Sequence, residues 1–270
     1  MTFHSSKRIV ELAVEAGAKK ASMRPGHSLL LGFLGGAFIA FGFLLDIRVT
    51  ANLPEEWGSF SSLIGAAVFP LGLILIVIAG GELVTGNMMA LPIAVLAKRA
   101  TIRQLVKNWL LLLISNFIGA IFVAYFFGHI VGLTETGPFL NKTVAIAEEK
   151  IHQTFIQSFI SAVGCNWLVC LAVWMAFGSN DIVGKMCAIW LPIMGFVAIG
   201  FQQVVANMFV IPAAIFSGHF TWGNYFINFV PVVMGNAIGG AFFVAFIYWI
   251  IHKESFQTLA IAKPSIKKAS

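Results

Sequence analysis

Six long apolar stretches, at about 28–45, 62–97, 105–129, 154–177, 186–216 and 227–251, constrain this chain more than any other feature. A membrane-crossing helix needs about 20 such residues, so each stretch is long enough to span a bilayer. The second and fifth are longer than one crossing requires. Each is interrupted, at Gly80-Gly81-Glu82 and at Gly200-Phe201-Gln202-Gln203. The stretches do not alternate apolar and polar residues, which excludes a strand barrel. The expectation is an all-α membrane protein of six transmembrane helices, with helices 2 and 5 broken. Composition agrees, since 59% of the 270 residues are hydrophobic and 10% are charged. That leaves too little polar surface for a soluble enzyme, a nucleic-acid-binding domain or a disordered chain.

The net charge of +6 is laid out as membrane topology requires, in short clusters between apolar stretches. Of the 17 basic residues, all but Arg48, Lys142 and Lys150 fall in the N-terminal segment, the loops after spans two and four, or the C-terminal tail. The positive-inside rule then places both termini in the cytoplasm of a multi-pass plasma-membrane protein, in agreement with an even number of spans, which puts the two termini on one side. The expected division is a cytoplasmic segment 1–27, a transmembrane transport domain 28–251 and a cytoplasmic tail 252–270. No cleavable leader pattern precedes the first stretch. Residues 5–23 have an amphipathic pattern capped by Ser5 or Ser6, with Ile9, Leu12, Ala13 and Ala16 on one face. Such a helix serves either as an interfacial anchor or as a plug of an inner opening. Cys165, Cys170 and Cys187 are odd in number and lie in or beside apolar stretches, so they read as buried apolar residues and not as disulfide partners.

A repeat runs through the chain at a constant offset. Gly80, Asn87, Met88, Pro92 and Ala94 recur as Gly200, Asn207, Met208, Pro212 and Ala214, and Thr101, Asn108, Asn116 and Gly119 recur as Thr221, Asn228, Asn236 and Gly239. Each unit, 28–129 and 154–251, holds three spans. An odd number turns the second copy upside down relative to the first. Inverted repeats broken at matching positions mark a central transport path, because a break frees backbone groups that lipid cannot satisfy. Asn116, Gly119, Asn236 and Gly239 read as packing residues that let helices approach.

Polar groups at membrane depth are costly and therefore candidates for function. Glu82 reads as the only acid in any span, either a relay or a carboxylate held by freed N–H groups at the break. Asn87 and Asn207 read as partners of freed backbone groups, and Lys150 as a residue where span four enters from outside. No nucleophile motif, phosphate loop or metal-ligand spacing is present, so neither an enzyme nor a cofactor is expected.

Several segments together resemble the formate/nitrite transporter family. They are Gly81-Glu82-Leu83-Val84-Thr85-Gly86-Asn87, Lys107-Asn108-Trp109, Lys150-Ile151-His152-Gln153-Thr154-Phe155, Asn166-Trp167-Leu168-Val169-Cys170, Gly200-Phe201-Gln202-Gln203-Val204-Val205-Ala206-Asn207 and Gly235-Asn236 with Gly239-Gly240. The resemblance implies an aquaporin-like protomer in a homopentamer, each protomer with its own path. It implies small monovalent weak-acid anions as substrates, formate first, with nitrite, hydrosulfide, acetate or lactate as alternatives, and a proton travelling with them. By motif position the apolar constrictions are Phe69, Leu73, Leu83 and Phe196. Asn166, Val169 and Asn207 lie along the path, Thr85 near its centre, and Lys150 in the outer vestibule. One departure stands out: Gln203 occupies the position of the family's usual central histidine, and an amide does not titrate.

Overall fold

A computed structural model describes residues 3–253. Lys263, Lys267, Lys268 and the rest of the expected tail beyond 253 lie outside the described residues. The described chain is helical and supplies six helices long and apolar enough to cross a membrane. In chain order these are α2 (Pro25–Thr50), a second span Ser59–Gly80 containing α3 (Ser59–Val68) and α4 (Leu71–Leu75), α6 (Ile102–Phe122), α8 (Phe155–Ala176), α9 (Ile182–Ile199) and α11 (Trp222–Gly240). Helices α6 and α11 continue through wider π-helical turns to Ile130 and into α12 (Ile247–Ile251). Two 13-residue half-helices, α5 (Val84–Leu96) and α10 (Val204–Phe216), follow the breaks. Helix α1 (Ser6–Ala21) precedes the spans, and α7 (Gly137–Ile151) joins α6 to α8.

The repeat is built into the packing. The broadest helix contacts are α2 with α6 in the first half and α8 with α11 in the second. Gly119 lets α6 close on the Phe33 carbonyl, and Gly239 lets α11 close on the Val163 carbonyl, so that a side chain at either would collide with backbone. The outward faces match too. Leu110, Ile114, Ile118 and Phe122 are exposed along α6, and Val230, Met234, Ile238 and Phe242 along α11 and its π-helical continuation. These four-residue spacings form apolar stripes suited to lipid or to another protomer. The half-helices lie in the middle: Val84–Ala94 and Val204–Ala214 are buried at every position.

Both breaks turn on a glycine. Gly80 has φ 98° and Gly200 φ 83°, left-handed conformations that a side chain disfavours. The freed backbone groups are met by Asn116 and Asn236. Asn116 Oδ1 accepts from the Val84 N–H (2.9 Å), and its Nδ2 donates to the carbonyls of Glu82 (2.8 Å) and Gly32 (2.7 Å). Asn236 repeats this with the Val204 N–H (2.9 Å) and the carbonyls of Gln202 (3.1 Å) and Ala162 (2.8 Å).

This corrects the expected division of labour. Asn87 and Asn207 do not satisfy backbone through their amides; they join side chains. Asn87 Nδ2 donates to Glu82 (2.8 Å) and Asn108 (3.0 Å), and Asn207 Nδ2 to Gln202 (2.6 Å) and Asn228 (2.8 Å).

Three further expectations change. Helix α1 buries Ile9, Val10, Ala13, Val14 and Gly17, a face rotated from the expected one, because it packs on α5. Ser5 caps it, accepting from the Arg8 N–H. Lys150 sits on α7 and not at the start of span four, since Thr154 and Gln157 form a separate capping box that begins α8. Glu82 is not the only acid in a span, because α2 runs on to Thr50 and carries Asp46 in its last turns, buried.

Candidate functional site

Three cavities line up through the centre of the protein. One of about 450 Å³ opens on the N-terminal face, beneath α1, and is lined by Lys19, Lys20, Glu82, Leu73, Leu83 and Lys185, among others. A second of about 360 Å³ opens at the other end of α2 and is lined by Asp46, Thr50, Lys142, Glu149, Lys150 and Gln203, together with Phe69 and Phe196. Between them lies a small chamber of about 10 Å³, enclosed by Ile39, Phe69, Leu73, Leu83, Val169, Ile193, Phe196 and Gln203. Leu73 and Leu83 are shared with the N-terminal cavity, and Phe69, Phe196 and Gln203 with the far one. Two polar mouths therefore meet at an apolar waist.

The waist is set by packing. Phe69 and Phe196 meet edge to face with ring centres 5.7 Å apart, and Phe43 braces Phe69 at 5.5 Å. Leu83 closes the first break and Gln203 the second, and both line the chamber. The Gln203 carbonyl oxygen of the side chain accepts from the Ala206 N–H, capping α10, while Nε2 donates to Thr85 Oγ1 at 3.2 Å. That hydroxyl comes from the first turn of α5, so the two half-helices touch at the centre through one amide and one threonine.

Of the residues expected along the path, Phe69, Leu73, Leu83, Phe196, Val169 and Gln203 line the waist, and Lys150 lines the far cavity. Thr85 stands behind Gln203 and is fully buried. Asn166 is also buried, donating to the carbonyls of Thr85 (3.1 Å) and Asn236 (2.6 Å), so it holds α5 against α11. Asn207 points into its amide chain with Gln202 and Asn228. Ile39, Ile193 and Asp46 join the lining without having been singled out in the sequence. The first two carried no signal that separates them from other apolar residues.

Charge differs between the mouths. Lys20, at the end of α1, pairs with Glu82 at the first break (Nζ to Oε1, 2.6 Å). At the equivalent place in the second half Gln202 stands for Glu82 and donates to the Lys150 carbonyl (3.1 Å) and to Gln153 (2.9 Å). Asn228 donates to the same carbonyl at 2.9 Å, so the backbone of Lys150 is fixed to the second break. Burial pulls the Lys150 ammonium below the ordinary lysine range. The far mouth thus sets Lys142 and Lys150 beside Asp46 and Glu149, and the waist below it is apolar apart from Gln203. Among the described residues no cluster suited to a metal ion occurs.

Comparison with known proteins bears on this geometry. A family model described as formate/nitrite transporter matches residues 7–250. An uncharacterized transporter of Bacillus subtilis is 60% identical over 94% of this chain and 96% of its own. The formate channel BtFdhC of Bacillus thuringiensis is 58% identical over 96% of this chain and all of its own. A solved structure described as a pentameric formate channel with formate bound superposes with a TM-score of 0.73 at 32% identity, covering 87% of this chain and 99% of that one.

Proposed function

The chain belongs to the formate/nitrite transporter family, and from that premise we propose that it carries small weak-acid anions, formate first, through each protomer as the protonated acid. The family is one of transporters and channels, not enzymes. The observation that carries the reading is the order of the three cavities: a mouth with Lys142 and Lys150, a waist of Phe69, Phe196, Leu73 and Leu83, and a second polar mouth.

Magnitudes decide the species that crosses. Taking a bare anion into so apolar a waist costs on the order of 20 kcal/mol in the idealised limit. A simple carboxylic acid titrates roughly 3 units below neutral, so populating its neutral form costs about 4 kcal/mol. Protonation in the far cavity is thus the cheaper route, and Gln203 need not titrate for it to work. Nitrite, hydrosulfide, acetate and lactate fit the same scheme. The described basic residues Lys7, Arg8, Lys98, Arg99, Arg103, Lys107 and Lys185 share the N-terminal side of the topology, which supports a plasma-membrane orientation with both termini cytoplasmic and the far cavity outside. The pentameric formate channel supports a homopentamer, with the apolar outer stripes shared between lipid and neighbouring protomers.

The test is radiolabelled formate uptake into cells lacking their own formate transporters, with nitrite, lactate and hydrosulfide as competitors. Uptake that rises with external acid in wild type and in Gln203→His alike supports protonation outside the waist. A flat wild-type profile that histidine makes acid-stimulated would assign the proton to the central position. No uptake of any of these acids by well-inserted protein would leave a membrane scaffold or receptor as the reading.

A further inference from the structure

We infer that Asp46 is the proton-exchange group of the far cavity, handing its carboxyl proton to the arriving anion; this rests on the transport reading above and deepens it. An acid at membrane depth is costly and is retained where it has work to do. Asp46 is 7% exposed and lines the same cavity as Lys142, Lys150 and Gln203.

Its surroundings give it no structural employment. The Thr50 hydroxyl lies 3.3 Å from Oδ1, but its shorter contact, 2.7 Å, is to the Asp46 backbone carbonyl. Among the described residues no lysine, arginine or histidine is in ion-pair contact with Asp46. Arg48, on the same helix, is turned away. It donates to the Leu133 carbonyl (3.2 Å) and stacks on Phe139 (3.5 Å). From α3 come only Ser61, Ser62 and the closely packed Gly65. From α7 come Lys142, Glu149 and Lys150, and from the turn after it Gln153. Helices α9 and α10 and the break between them contribute Phe196, Gln203 and Ala206, none of which titrates. Glu149 is exposed. Asp46 is thus the one buried acid in this cavity.

The chemistry follows from placing two carboxyl groups in one poorly hydrated site. Lys142 and Lys150 draw formate in, and the two carboxylates cannot both remain ionised side by side, so they share a proton. The O–H bond of Asp46 breaks, an O–H bond forms on formate, and neutral formic acid moves on between Phe69 and Phe196. The Asp46 carboxylate then regains a proton from hydronium at the cavity mouth, leaving water. One proton and one anion cross together and the side chain is restored.

The experiment is formate uptake by full-length protein in proteoliposomes across external pH. Wild-type uptake rises with acid and levels off once Asp46 stays protonated. In Asp46→Asn the uptake follows the bulk neutral acid, changing about tenfold per pH unit without levelling, and lies about tenfold or more below wild type at neutral pH. Asp46→Glu restores the plateau with a displaced midpoint. A wild-type plateau in Asp46→Asn overturns the inference and leaves the transport reading standing. If the Asn variant does not assemble, Asp46→Glu decides alone: a displaced midpoint supports the role and an unmoved one refutes it. Wild type that takes up no formate removes the transport reading and this inference with it.

Discussion

Lys150 combines a positive charge with a backbone carbonyl fixed by Gln202 and Asn228. Its Ala variant is expected to insert and assemble normally and to take up formate severalfold more slowly. The loss is partial because Lys142 shares the cavity. Since burial lowers its pKa, Lys150 gives up its charge at a lower pH than an exposed lysine, and capture weakens as pH rises. Lys150→Arg keeps its charge throughout, so its uptake should decline less on the alkaline side; equal declines would remove Lys150 from anion capture. The waist makes a separate prediction. Phe69→Ala or Phe196→Ala removes one half of an edge-to-face pair and widens the chamber. Lactate uptake relative to formate should rise severalfold, and an unchanged ratio in both variants would place the filter elsewhere. Asp46 shows where reading side chains from sequence ran out. The apolar stretch stops at residue 45, but the helix continues to Thr50, so the stretch alone leaves the acid outside the span. The pair of Lys20 with Glu82 was invisible for another reason: 62 residues separate its partners.

At the level of helices, the breaks were the most legible part of the chain. Gly80 and Gly200 stand at the same place in two copies of one pattern, and both take the left-handed backbone that only glycine adopts readily. What the pattern did not reveal was which asparagine does which task. An amide that fills backbone valences looks, in a string of letters, like an amide that bridges side chains. The geometry separates them and makes the prediction sharp. Asn116→Ala strands the Val84 N–H and the Glu82 carbonyl at membrane depth, and Asn236→Ala strands the Val204 N–H and the Gln202 carbonyl. At about 1–3 kcal/mol for each buried unsatisfied group, both variants should unfold several degrees earlier in detergent, and by similar amounts. Asn108→Ala, which removes one side-chain acceptor, should cost clearly less. Unequal losses between the two halves would mean that the clamps are not equivalent.

In the molecule as a whole, the two-fold likeness of the halves ends where α1 lies across one mouth. Gly17 packs directly against the Ala90 carbonyl and Ala94, so Gly17→Val should lift α1 from α5, at an overpacking cost of about 1–3 kcal/mol. Lys19 and Lys20 should then become cleavable by trypsin in detergent-solubilised protein, and an unchanged digestion pattern would show that α1 stays docked. The scaffold is symmetric in outline, but its ends are chemically different. Lys20 and Glu82 meet under α1 at one end, and Asp46, Lys142 and Lys150 surround the other, where Gln202 stands in the place of Glu82. A passive conduit of this kind works as a valve with unequal faces. Detailed balance fixes the ratio of maximal rate to half-saturating concentration to be the same for inward and outward flow at matched pH. It does not fix either quantity alone. The N-terminal mouth keeps Lys19 and Lys185 beside the Lys20–Glu82 pair, whereas Lys142 and Lys150 share the far mouth with Asp46 and Glu149. The N-terminal mouth therefore concentrates anions more strongly, so outward flow should half-saturate at a lower formate concentration, and also reach a lower ceiling, than inward flow through the same protein.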